Sequence, residues 1–157
     1  DLLLTRLREL AVAESSLPSD RICAEDVYRM LQERFPQLVI VMTGLSTVRF
    51  VLSFEAAGIV FGNLAENSLQ NGATHISLTV GVDGKALTIL VADNGNGVSE
   101  TNRDRVFQPF FSTRRQEGGT GMGLEIARTM LASHGGTITL QDAPQPGAAF
   151  LISVPIS

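Results

Sequence analysis

Residues 74–93, THISLTVGVDGKALTILVAD, limit the choice of fold more than any other stretch. Ile76, Leu78, Val80 and Val82 alternate with polar or small residues, the period of a strand with one apolar face. Asp83-Gly84 then marks a hairpin turn, and ALTILVAD (86–93) is the returning strand. A hairpin with one apolar face needs a second layer to cover it. The rest of the chain offers helices for that purpose. AEDVYRMLQERF (24–35) puts Val27, Met30, Leu31 and Phe35 on one side and stops at Pro36. A long helix is predicted over about 55–71. Another is predicted over 120–136, with Leu124, Ala127, Met130 and Leu131 inward and Gly135-Gly136 as its end. LVIVMT (38–43) reads as a buried strand, a short strand is predicted near 49–53, and 137–143 and 148–156 read as a closing pair. There are no repeats and no low-complexity segments. This order predicts an α+β two-layer sandwich, with helices on one face of a mixed, mostly antiparallel sheet.

At 157 residues, 44% hydrophobic and 18% charged, the chain is long and apolar enough for one domain with a real core. Leu3, Leu7 and Leu10 lie at helical spacing in residues 2–12, too short a stretch to bury that stripe alone. The expectation is the end of a helix that packs on something outside the main domain. SSLPSD (15–20) is linker-like, so the expected division is 1–16, remnant of an upstream helix with its linker, and 17–157, the main domain. The start at Asp1 fits a piece cut from a longer protein. A net charge of −4, with basic residues unclustered beyond Arg114-Arg115, gives no electrostatic reason to expect nucleic acid. The single cysteine, Cys23, allows no internal disulfide and fits a reducing compartment. No apolar run approaches membrane-spanning length, and no signal peptide is evident.

Four stretches carry chemistry. In FGNLAENSLQNGA (61–73), Asn63, Asn67 and Asn71 fall at i, i+4 and i+8 of a helix, beside Glu66 and Gln70. Asparagine is a poor helix former, so the stripe has two readings. It is a solvated face with an Asn-Gly stop, or a row of amide oxygens for a hard cation such as Mg²⁺ whose negative charge comes from phosphates. In VADNGNG (91–97), Asp93 closes an apolar strand; it makes an Asx turn, or it accepts a hydrogen bond from an exocyclic amine such as that of adenine. Gly95 and Gly97 let the backbone turn and a flat ring approach. In VFQPFFSTRR (106–115), Phe107, Phe110 and Phe111 surround Pro109. They form a core cluster or a latch for a mobile lid over about 108–120, with Arg114 and Arg115 solvated or reaching phosphates. In GGTGMGLEIA (118–127), Gly119, Gly121 and Gly123 run into a helix N-terminus, an anion site. No lysine follows, as a Walker loop requires, and the G-x-G-x-G spacing after a loop is not a dinucleotide fingerprint.

NLAEN, DNGNG, FQPFF and GTGMGL, in this order, resemble the N, G1, F and G2 boxes of bacterial sensor histidine kinases, of the GHKL superfamily. The match runs from about residue 20 to the end. The resemblance implies a Bergerat-type fold that binds ATP with Mg²⁺. It implies Asn67 as the metal ligand, Asn63 in its hydrated surroundings, and Asp93 on the adenine amine in a base pocket shaped by Gly95 and Gly97. Phe107 would anchor the lid. Asn71, Arg114, Arg115, Gly119, Thr120, Gly121, Met122, Gly123 and Leu124 would line the nucleotide; Glu66, beside Asn63 and Asn67, reads first as an exposed helix charge and second as an aid to proton movement. The activity implied is transfer of the ATP γ-phosphoryl group to a histidine on a separate dimerisation domain, then to a response regulator, in a homodimeric, cytoplasmically facing protein. There are departures. Gln70 stands where many of these kinases have Lys or Arg, and GAAF puts Ala148 where the family has Thr. His75 and His134 read as structural. Two alternatives stand beside this one. One is another superfamily member, an anti-sigma-factor serine kinase or a Hsp90- or gyrase-like ATPase; FQPFF, GTGMGL and Asn63 in the usual place of a catalytic Glu argue against it. The other is a degenerate partner-binding module without catalysis, to which Gln70 and Ala148 lend weight.

Overall fold

The alternation over 75–91 produces the hairpin. In a computed structural model that describes residues 2–15, 21–98, 106–107, 123–143 and 146–157, strand β4 (His75–Asp83) pairs antiparallel with β5 (Ala86–Asp93). Asp83 faces Ala86, so the turn is the two residues Gly84-Lys85, and Gly84 takes φ 60°, a left-handed value that glycine adopts without strain. Around this hairpin the sheet adds β2 (Val39–Gly44), β6 (Thr137–Gln141) and β7 (Ala149–Pro155), in the order β2-β4-β5-β7-β6. Among the described strands of this sheet, β2 against β4 is parallel and the other pairs are antiparallel. The sandwich expected from the sequence is the one observed.

Register decides what the sheet shows to the helices. Val91 lies opposite Leu78 and Phe150, Ile89 opposite Val80 and Ile152, and Ile138 opposite Ile152. All of these are buried. They pack under α2 (Ala24–Arg34), α3 (Phe54–Gln70) and α4 (Gly123–Ser133), which bring Val27 and Leu31, Phe61 and Leu64, and Met130 and Leu131. Each such side chain contributes about 1.5–3 kcal/mol by leaving water. The parity of β5 matters for the site. Residues 87, 89 and 91 face the helices, and Asp93, opposite Ile76, is next in that row. A carboxylate is thus carried to the rim of the apolar face.

Helix α3 begins where Ser53 accepts a hydrogen bond from the Ala56 N–H at 3.0 Å, the usual cap for the free amides of a first turn. Helix α1 (Leu2–Ser15) lies outside this layer, against α4 and α3. None of the described helices is long and apolar enough to cross a membrane.

Two points differ from the expectation. Strand β1 (Arg21–Cys23), which pairs with β3 (Arg49–Val51), was not foreseen. Strand β2 was expected to be buried, yet as the edge strand it buries Ile40 and leaves Val39 and Val41 about half exposed, at 51% and 52%. In α1, Leu3 and Leu7 are exposed, which agrees with a stripe that packs outside the domain, and among the described side chains of this helix Arg6 is buried. Helix α4 starts at Gly123; residues 120–122 of the expected helix lie outside the described residues.

Candidate functional site

Asp93 is held by donors from three parts of the chain. Its Oδ1 accepts from the Gly95 N–H at 2.9 Å and the Ala148 N–H at 3.2 Å, and its Oδ2 accepts from the Ser68 hydroxyl at 2.6 Å. Its own N–H donates to the Ala148 carbonyl at 2.9 Å. The turn, the loop before β7 and the last turn of α3 therefore meet on one carboxylate. Asn94 secures the other side of the turn, its Oδ1 accepting from the N–H groups of Thr74 and His75 at 2.9 Å each.

Gly95 and Gly97 owe their identity to neighbouring backbone. A Cβ on Gly95 would stand 2.8 Å from the Asn71 carbonyl oxygen, and one on Gly97, at φ 77°, would stand 2.6 Å from that of Gly147. The positive φ of Gly97 is the turn expected there, and at both positions neighbouring main chain fills the space where a Cβ would stand. Asn71 completes the clamp. Its carbonyl accepts from the Asn96 N–H at 2.8 Å, and its side-chain amide donates to the Asn67 carbonyl at 2.8 Å. Asn71 thus ties the end of α3 to the turn that carries Asp93.

The three asparagines of the stripe have different surroundings. Asn63 is 3% exposed, not on a hydrated face. Its Oδ1 accepts from the Arg6 guanidinium, and its amide donates to Glu9 at 3.4 Å. Arg6 also pairs with Glu66, and with Glu9 at 3.0 Å. Burial acts to lower the Arg6 pKa, but the hydrogen bonds and charges of Glu66 and Glu9 outweigh it and the net direction is upward, so the guanidinium stays cationic. Glu66 is therefore engaged with a cation. Asn67, one turn on, is half-buried, and its side-chain amide makes no hydrogen bond among the described residues. Gln70 is half-buried as well.

Helix α4 closes the far side. A Cβ on Gly123 would lie 3.4 Å from Asn63 Oδ1, so the start of α4 rests on the N-terminal end of the amide stripe. Leu124 packs against the core. Phe107 stacks edge-on against Phe150, with ring centroids 6.1 Å apart, beneath the Arg128 guanidinium at 5.3 Å. The first aromatic of the predicted latch is therefore anchored on β7 and α4. Phe110, Phe111, Arg114, Arg115, Gly119, Thr120, Gly121 and Met122 lie outside the described residues. His134 is buried, its Nδ1 3.0 Å from the Met130 carbonyl. Sequence reasoning missed Ser68 and Arg6. A serine on the buried face of a helix, aligned with the carboxylate at the end of an inward strand row, was the available signal for Ser68.

Among the described residues, no group of three His, Cys, Asp or Glu side chains is arranged to hold a metal. Metal chemistry here would rest on amide oxygens and on the ligand's own charge. The family of histidine kinase-, DNA gyrase B- and HSP90-like ATPases has a sequence model that matches residues 55–157, from the first turn of α3 to the end of β7 and beyond. The chain belongs to that ATPase family. Among curated relatives, it is 37% identical over 98 residues to the sensor histidine kinase CpxA of Escherichia coli, an alignment covering 60% of this chain and 21% of CpxA. The chain thus spans about a fifth of the length of that relative. Among solved structures, the ATP-binding domain of PrrB from Mycobacterium tuberculosis is 26% identical with a TM-score of 0.69, covering 86% of this chain and 95% of that one. Full-length ShkA in complex with AMPPNP gives a TM-score of 0.75 at 24% identity, covering 98% of this chain and 35% of that one; at this identity it shows the shared fold. Membership of the ATPase family accounts for the Bergerat-type arrangement, in which α3, the turn after β5 and the start of α4 converge.

Proposed function

We propose that this chain is the Mg-ATP-binding catalytic domain of a sensor histidine kinase. It would present the γ-phosphoryl group of ATP to a histidine on a separate dimerisation domain, for onward transfer to a response regulator. The observation that carries this reading is the state of Asp93: a carboxylate on the core side of the sheet, fixed by three donors and keeping acceptor capacity on Oδ2. A fixed acceptor at the rim of an apolar layer suits the exocyclic amine of a flat base.

The roles of the chain's own groups follow. Asp93 Oδ2 accepts from the adenine amine. The Asn67 amide oxygen, uncommitted among the described residues, is the neutral donor for Mg²⁺, which when bound offsets phosphate charge. Arg114 and Arg115 supply further positive charge to the phosphates, in the absence of a cation at Gln70. Gly119, Gly121 and Gly123 lead to the free N–H groups at the start of α4. In the transfer itself an imidazole nitrogen of the partner attacks the γ-phosphorus, the bond to the β,γ-bridging oxygen breaks, and ADP departs. Such a step needs positioning and charge neutralisation more than a nucleophile from this domain. With Asn63 tied to Arg6, that position has no group to activate water, which disfavours a simple ATPase.

Two measurements test the proposal. Calorimetry of wild-type chain should show nucleotide binding that strengthens with Mg²⁺, and Asn67→Ala should remove mainly the Mg²⁺-dependent part, with the affinity in EDTA unchanged. Incubation with ATP and a separate histidine-bearing dimerisation domain should put acid-labile phosphate on that domain and not on this chain. Absence of ATP binding by the wild type would refute the reading outright.

A further inference from the structure

Ser68 lies in the last turn of α3 and is 3% exposed, on the face it shares with Ala57, Phe61 and Leu64. Alanine would suit that position better. It is the stronger helix former, and a buried hydroxyl is costly unless hydrogen-bonded. A serine inside a helix commonly returns its hydroxyl to the carbonyl one turn back. Here the hydroxyl instead reaches out of the helix and donates to Asp93 Oδ2 at 2.6 Å. The direction follows from the chemistry: an ionised carboxylate only accepts, so the proton belongs to Ser68.

Lone pairs can then be counted. A carboxylate offers about four acceptor sites. On Asp93, the Gly95 and Ala148 N–H groups occupy Oδ1, and Ser68 occupies one site of Oδ2. One site remains, on Oδ2, and its direction is set by the other three. The Ser68 oxygen, having committed its proton, has only lone pairs to offer in turn.

We propose that Ser68 is a positioning residue for base selection. By engaging one lone pair of Asp93 Oδ2, it leaves a single acceptor of fixed direction, suited to one N–H of a 6-amino purine and unable to reward a base that lacks the amine. This rests on the reading of Asp93 as the adenine-binding carboxylate. Without the hydroxyl, Asp93 keeps its two backbone donors on Oδ1, but Oδ2 is no longer steered, and the carboxylate can turn about its Cβ–Cγ bond.

The experiment compares ATP with purine riboside triphosphate, which lacks the 6-amino group, on wild-type, Ser68→Ala and Ser68→Thr chains, by calorimetry with Mg²⁺, with thermal melts to confirm folding. Ser68→Ala should bind ATP three- to tenfold more weakly and the amine-free nucleotide unchanged, so the preference between them narrows by the same factor. Ser68→Thr, which keeps the hydroxyl, should hold the wild-type preference even if the added methyl lowers the melting temperature. Equal losses for both nucleotides, or no change for either, would overturn the proposal and leave Ser68 a packing residue. A wild type that binds both nucleotides equally well would instead refute the assignment of Asp93 to adenine, and this inference with it.

Discussion

Replacing Asp93 by asparagine isolates what the carboxylate does from what holds it. The two side chains have nearly the same shape. The asparagine oxygen can keep both backbone donors, the Gly95 N–H at 2.9 Å and the Ala148 N–H at 3.2 Å. The new amide nitrogen takes the place of Oδ2, and the Ser68 hydroxyl at 2.6 Å can rotate to accept from it rather than donate. Each local hydrogen bond has a replacement, so unfolding free energy should change by no more than about 1 kcal/mol. The outward face changes sign: where Oδ2 offered a lone pair, the amide offers an N–H. An adenine amine then meets a donor and loses a hydrogen bond to a charged acceptor, a contribution of about 1.5–3 kcal/mol. At about 1.4 kcal/mol per decade, that weakens Mg-ATP about 10- to 150-fold. Calorimetry gives the affinity, and urea unfolding of the same preparation gives the stability. A folded variant whose ATP affinity moves less than threefold would show that the base is not read here. A stability loss above about 3 kcal/mol would show that the charge serves the fold instead.

Two further variants probe the frame of the site. Gly97→Ala forces a left-handed residue, costing about 1–2 kcal/mol, and drives its Cβ toward the Gly147 carbonyl. Urea unfolding should show at least that loss together with weaker ATP binding, since the displaced loop carries the Ala148 N–H; a neutral result would mean the loop is free to yield. Arg6→Ala removes a buried cation shared by Glu9, Glu66 and Asn63, worth about 1–3 kcal/mol to the docking of α1. Amide exchange in α1 should therefore speed up about 5- to 150-fold while β4 and β5 keep their protection; unchanged exchange in α1 would show that its hold lies elsewhere.

What was legible in the sequence was local. The hairpin of β4 and β5 follows from alternation and an Asp-Gly turn, and the same alternation puts Asp93 in line with Leu87, Ile89 and Val91. The helices follow from apolar spacing and their stops. What was not legible depends on meetings between distant segments. Strand β1 has three residues and exists because β3 pairs with it across α2 and β2. Ser68 reads as one more small residue on an apolar face until the packing of α3 over β5 brings Asp93 beneath it. Gly95 and Gly97 were readable as glycines the turn requires, but their reason, the nearby carbonyls of Asn71 and Gly147, lies elsewhere in the chain. In α1 the leucine stripe gave no hint of Arg6, whose burial is made possible by Glu66, sixty positions later.

That last contact sets how α1 can move. Glu9 rides on α1 together with Arg6, so lifting the helix would part the guanidinium from Glu66 and Asn63 but not from Glu9. Those two partners sit on α3, so the seating of α1 is felt one turn away from Asn67.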